Sequence, residues 1–321
     1  MFCDCSARIV AGVFILSLLA ACSTPQTAAL RHEWPAHLPV NVELDKVVFY
    51  AQEEHQCGPA ALAMALYNAG RLVEPEQLKP HLYLPEKQGS LQIEMLATAR
   101  RYDRVAYLLR PELQDVLAEL AAGNPVVVLQ NLGLSWYPVW HYAVVIGYDR
   151  GTDDIILRSG LERRQVLPFR TFENTWARSG HWAIVVLPPG LLPQTANAEA
   201  YIQSVVELEH SRPEIDTWPA YDAALQRWPD NLLAKIAAGN FAYQHGKLGQ
   251  AVQLFWQATQ DHPDSVAAFN NLAQTWSDLG KYEAALRAAR RAVALGGPLN
   301  AQARSTLAEI ELKAANTGKN K

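Results

Sequence analysis

Cysteine is scarce and oddly placed: of four, Cys3, Cys5 and Cys22 fall at the N-terminus and only Cys57 stands in the body of the chain. With one thiol there, no internal disulfide is available, and that thiol is either buried and inert or reactive. Basic charge is not concentrated anywhere. Lys and Arg number 28 against 32 Asp and Glu, a net charge of -4, so the field that draws phosphate backbones is missing and nucleic acid is not an expected partner. No His, Cys and Asp cluster has metal-ligand spacing and no glycine-rich phosphate loop occurs, so neither metal nor cofactor is expected. No apolar run reaches the roughly 20 residues of a transmembrane helix. Proline (19) and glycine (18) stay below disordered levels.

What is present is the composition of a folded protein, 50% hydrophobic and 19% charged, in 321 residues, which suits two domains with a core each. The N-terminus is separate. Ile9 to Leu19 is a short apolar run followed by Ala20-Ala21-Cys22, the layout of a signal-peptide core and cleavage site, although Arg8 is offset by Asp4. Leu19-Ala20-Ala21-Cys22 resembles the bacterial lipobox, which implies removal of residues 1–21 and lipidation of Cys22. Acyl chains contribute about 0.8 kcal/mol per buried methylene, so several on one residue make a durable anchor. Ser23, where an Asp would imply inner-membrane retention, implies the outer membrane of a Gram-negative cell, with the protein facing the periplasm.

Residues 22–41, with Pro25, Pro35 and Pro39, read as a lipidated tether. Ordered patterning fills 42–190. Val47 to Tyr50 reads as a strand, and Gly58 to Gly70 as a helix with Pro59 in its first turn and glycine at its end. Helices are expected from Leu91 to Arg101 behind Ser90 as cap and from Pro111 to Ala122. β-Branched runs at 126–129, 142–146, 154–157 and 183–186 read as strands, so this domain is α+β, helices first and an antiparallel sheet later. After a linker at 191–199, residues 200–316 show helical periodicity. Pro229-Asp230 recurs at Pro263-Asp264, Gly246-Lys247 at Gly280-Lys281 and Ala251 at Ala285, each after 34 residues, the length of a tetratricopeptide repeat. The clearest units are 230–263 and 264–297, and an all-α solenoid of this kind offers a curved surface for a protein partner.

Cys57 begins the helix at 58–70. A helix N-terminus carries about half a positive charge and unpaired N–H groups, which favour thiolate and can hold an oxyanion. Gln52 is placed to add a second oxyanion donor, with Gln56 as its rival. A base must come from a rigidly held histidine, and His141, heading the apolar run Tyr142 to Ile146, is the candidate. His55, His81 and His181 are alternatives, while His32 and His37 lie in the tether and His210, His245 and His262 in the repeats. Trp136, Trp140, Trp176 and Trp182 read as core residues, with groove lining as the alternative.

Gln52 five positions ahead of Cys57-Gly58-Pro59-Ala60-Ala61-Leu62, with a later His141-Tyr142-Ala143-Val144-Val145-Ile146-Gly147-Tyr148-Asp149, resembles the bacteriocin-processing (double-glycine) cysteine peptidase family over about Val47 to Leu187. More narrowly it resembles stand-alone lipoprotein members with tetratricopeptide repeats behind the peptidase. The resemblance implies a papain-like fold, Cys57 as nucleophile, His141 as general base and Gln52 as oxyanion-hole amide, acting on a peptide or protein segment through a thioester. It departs in one place. The family's second strand ends in Asp-Pro, whose carboxylate orients the imidazole, but here the strand ends Leu157-Arg158-Ser159-Gly160. Ser159 takes the orienting position without a charge, with Asp153 and Asp154 in the preceding turn as alternatives. That departure motivates a second expectation, a catalytically inactive peptide-binding scaffold.

Overall fold

The computed structural model describes residues 24–52, 56–87 and 89–319. The expected signal peptide, Cys22 and His55 lie outside them. The chain divides into two compact units, one of 1–188 with 193–196 and one of 189–192 with 197–321. The expected linker is thus shared between them. Residues 193–196 belong to the first unit because the fully buried Glu119 carboxylate accepts hydrogen bonds from Gln194 N, Thr195 N and Thr195 Oγ1.

The first unit is built on an antiparallel sheet of seven strands: β1 (Asn41–Glu43), β2 (Val105–Leu108), β3 (Val126–Asn131), β4 (Trp140–Asp149), β5 (Asp154–Ser159), β6 (Glu162–Pro168) and β7 (Ala183–Leu187). Their order is β2-β7-β3-β4-β5-β6, with β1 on the far end of β4. The central strands β3 and β7 are buried along their whole length, as β-branched runs covered on both sides should be. Helix α1 spans Pro25–His32, α2 Cys57–Asn68, α3 Pro75–Leu82, α4 Gln92–Arg101, α5 Leu113–Ala121 and α6 Phe169–Ala177. Helix α2 has no polar face and is buried from Gly58 to Leu66, the behaviour of a helix apolar all round. Leu62, Met64 and Leu66 join Tyr142, Val144 and Ile146 of β4 in the main core cluster. Alternation along β4 leaves Ala143 and Val145 for the side on which α5 and α6 pack.

Two expectations fail here for physical reasons. Val47 to Tyr50 is not a strand; the edge of the sheet at that end is taken by Asn41–Glu43, which pairs with Gly147, Tyr148 and Asp149. The carbonyls of Asp45 and Val47 instead accept Nη2 of Arg158, a buried arginine. Residues 24–41 are not a loose tether either. Helix α1 buries Thr27 and Leu30 and is fastened at its start: the buried carboxylate of Glu173, on α6, accepts from Gln26 N at 3.0 Å and Thr27 N at 2.7 Å, and the Gln26 carboxamide accepts from Leu113 N at the start of α5 and donates to Pro111 O. Two orphan N–H groups of one helix and one of another are satisfied in this way. Helices α3 and α6 and strands β2 and β6 were not foreseen, and Leu91 rather than Ser90 caps α4.

The second unit is all helical: α7 (Ala198–Ser211), α8 (Trp218–Arg227), α9 (Leu232–Gln244), α10 (Leu248–Asp261), α11 (Val266–Asp278), α12 (Tyr282–Leu295) and α13 (Asn300–Lys319). The 34-residue period is visible as structure. Asn231 and Ser265, one period apart, each accept a backbone N–H in the first turn of α9 and α11, and Gly246 and Gly280 turn the chain at φ +70 and +71.

Candidate active site

Cys57 is the first residue of α2, behind Gln56 as N-cap, and is half-buried. Gly58 is required there. A Cβ would lie 2.6 Å from Ser90 Cβ, so glycine is what lets the Ser90 segment close against the start of the helix. His141 and Tyr142 open β4, opposite Gln130 and Leu129 of β3. The Tyr142 hydroxyl donates to Ser90 O at 3.2 Å, tying the strand that carries the imidazole to the segment beside the thiol.

Gln52 arrives on the stretch fastened by Arg158 and is held on three bonds. Its backbone N donates to Gly160 O at 3.0 Å, its Oε1 accepts from Gly160 N at 2.8 Å, and its Nε2 donates to Tyr142 O at 3.2 Å. A carboxamide nitrogen has two hydrogens, so one is committed to β4 and the second is the one a substrate oxygen would meet. Gln52, Cys57 and His141 all line one cavity of about 1050 Å³, together with Leu91, Tyr137, Val139, Trp140 and Arg178. Gln56 is absent from that lining, which favours Gln52 of the two amides considered.

Ser159 stands where the sequence puts it. At the end of β5 its Oγ lies 2.9 Å from His141 Nε2. With that nitrogen occupied, Nδ1 is left to act on the thiol. Asp153 is engaged elsewhere, ion-paired with Arg31 at 2.7 Å and giving its carbonyl to Phe169 N, while Asp154 sits opposite Asp149 at the other end of β5. His81 is exposed on α3, and His181 packs edge-on against Trp176 at 4.7 Å. The tryptophans divide: Trp176 and Trp182 are core, while Trp136 and Trp140 are 80% and 52% exposed, Trp140 on the cavity.

The electrostatics differ from the expectation drawn from a helix N-terminus. Burial pushes the Cys57 thiol above its ordinary pKa and outweighs the backbone N–H groups of Tyr142, Gly58 and Cys57 itself, which pull it down. Burial also pushes His141 below its ordinary value, and the Ser159 hydroxyl supplies no charge to resist it. Both shifts favour a neutral thiol beside a neutral imidazole. Among the described residues of the lining, Arg178 carries the only formal charge; its Nη1 donates to Gly133 O at 2.6 Å and Asn131 O at 3.3 Å. Neither Arg178 nor the Tyr142–Ser90 bond was legible in the sequence, because both depend on which loops meet.

Residues 44–184 match the Peptidase_C39 like family, and residues 265–296 match a tetratricopeptide repeat. The first unit carries a C39-like peptidase domain. A chain from Bacillus anthracis described as a C39-like peptidase is 21% identical, over 46% of this chain and 97% of that one, with a TM-score of 0.39. An O-GlcNAc transferase mutant from Thermobaculum terrenum is 23% identical over 36% of this chain and 23% of its own length, with a TM-score of 0.30. At these scores neither likeness adds to the assignment. No curated protein matches. The C39-like domain and the repeat are therefore read from the family matches and from the antiparallel sheet and helical array described above.

Proposed function

We propose that the protein is a cysteine peptidase, anchored to the outer membrane through a lipid on Cys22, that cleaves a peptide or protein segment while its repeats hold a protein partner. The observation that carries the enzymatic part is the bond between Nε2 of His141 and Ser159 Oγ, which fixes the imidazole on the cavity that Cys57 and Gln52 share; with Nε2–H donating to the hydroxyl oxygen, Nδ1 is free to accept a proton. The resting pair being neutral, proton transfer accompanies attack. Nδ1 of His141 takes the thiol proton as the sulfur bonds to the scissile carbonyl carbon, and the oxyanion is met by the N–H of Cys57 and the second Nε2 hydrogen of Gln52. Collapse expels the amine, protonated by His141, and leaves a thioester. Water then attacks with His141 as base, releasing the acid and restoring the thiol.

A peptide carrying an epoxide tests this. It is expected to label Cys57 in the full chain much faster than iodoacetamide does, and the advantage should vanish in His141→Ala. Equal rates with both reagents, unaffected by His141→Ala, would remove the enzyme and leave the second reading, a scaffold that grips peptides without cutting them. The neutral pair and the uncharged Ser159 are what favour that reading. The anchor is tested separately by metabolic palmitate labelling, which Cys22→Ala should abolish.

A further inference from the structure

Between β3 and β4 the chain projects as a tight hairpin. Leu132 N donates to Val139 O, Leu134 and Tyr137 exchange backbone bonds across the turn at Ser135-Trp136, and Asn131 Oδ1 receives both Gly133 N and Val139 N. Gly133 is needed for this closure, since a Cβ there would meet Val139 N at 2.9 Å. The hairpin is therefore closely tied, yet its exposed surface is mostly apolar. Leu132, Leu134, Val139 and Trp140 are about half exposed, Tyr137 is 68% exposed and Trp136, at the tip, 80%. No residue from Asn131 to Tyr142 is an Asp, Glu, Lys or Arg. Apolar surface on this scale marks an interaction site, and Trp and Tyr at the tip are the residues that settle at a membrane interface.

We propose that this hairpin is a second membrane contact, which sets the mouth of the catalytic cavity at the lipid surface, so that the peptide taken is one presented there. Its location supports lipid over other occupants. Helix α6 carries both Glu173, which caps the start of α1 where the chain enters the domain, and at its end Arg178, which holds Gly133 and Asn131 at the hairpin's base. Glu173 and Arg178 are five positions apart, roughly 8 Å along the helix axis. The start of α1 and the base of the apolar hairpin are thus tied to one short helix, and Arg178 adds a positive charge at that base. The acyl chains on Cys22 hold the protein to the membrane without fixing how it faces the surface, and a second contact sets that orientation. The same hairpin supplies Tyr137, Val139 and Trp140 to the cavity wall, so its depth in the lipid fixes where the cavity opens.

The anchoring half of this rests on the lipid reading of Cys22, and the test separates the two. The full chain is mixed with phosphatidylethanolamine and phosphatidylglycerol vesicles, some with brominated acyl chains. Brominated lipid is expected to quench part of the tryptophan emission, and Trp136→Phe, at an exposed site that leaves the fold intact, should lose that part. Protein that floats with the vesicles but shows the same quenched fraction in wild type and Trp136→Phe overturns the proposal. Quenching of Trp136 when Cys22→Ala is used sustains the hairpin contact even if the anchor fails. Shielding of Trp136 from aqueous acrylamide by added peptide or by rising protein concentration, with no lipid quenching, assigns the hairpin to a peptide or a second copy and equally overturns it.

Discussion

At position 159 a hydroxyl holds the Nε2 side of His141 at 2.9 Å, and because it is uncharged it does nothing to offset the burial that pushes the imidazole's pKa down. The thiol is pushed up by its own burial. Each direction removes charge from the resting pair, so alkylation of Cys57 by iodoacetamide is expected to stay slow at neutral pH and to climb only above the ordinary thiol range, about 8.5. Ser159→Asp tests the cause. A carboxylate there stabilises the imidazolium and, through it, the thiolate, so the rate profile should move to lower pH, with about a tenfold gain at pH 7 for each unit of thiol pKa recovered. A profile unmoved by Ser159→Asp would mean that the bond to Nε2 does not govern the pair.

At the scale of elements, close approaches decide what the helices can do. Helix α2 begins beside Ser90 only because residue 58 has no Cβ. Alanine is the better helix former by about 1 kcal/mol, but overpacking costs about 1–3 kcal/mol, so Gly58→Ala should lower the thermal midpoint and slow Cys57 labelling. Adding Ser90→Gly should restore both, whereas failure to rescue would point away from that contact. Helix α1 makes the complementary case. Glu173→Ala leaves Gln26 N and Thr27 N without their buried partner, a loss of about 1–3 kcal/mol. Limited proteolysis should then cut within residues 24–40 well before the rest of the chain, and a pattern like that of wild type would show the helix held by other means.

For the whole molecule, two units with separate cores imply separable stabilities. In the second, a Cβ on Gly239 would lie 2.8 Å from Phe255 Cδ1, where α9 meets α10. Gly239→Ala is expected to destabilise the helical array by about 1–3 kcal/mol and to leave the rate of Cys57 labelling by the peptidyl epoxide unchanged, as sites with no shared partners do. Denaturation followed by circular dichroism, beside the labelling assay, checks this. A slower rate would show that the repeats support the peptidase domain.

The sequence by itself determined the features that depend on local chemistry or strict spacing. The helix after Cys57 follows from an apolar run with Pro59 in its first turn and glycine beyond its end, the strands at β3, β4, β5 and β7 from β-branched runs, and the repeats from a 34-residue period that the side-chain caps Asn231 and Ser265 reproduce. Cys57, His141 and Ser159 could be singled out because each sits at a fixed place on such an element, and Gln52 because of its fixed spacing ahead of Cys57; the structure brings Cys57, His141 and Gln52 to one cavity and Ser159 to the imidazole. Only tertiary structure decided the rest. Whether 47–50 became a strand depended on which segment pairs with the free part of β4, a place Asn41–Glu43 takes, and whether 24–41 hung loose depended on Glu173 and Gln26, 147 and 87 residues from their partners Gln26 and Leu113. The charge state of the thiol was likewise out of reach, because a helix terminus is a local property and can be read along the chain, whereas burial is set by everything that folds over it.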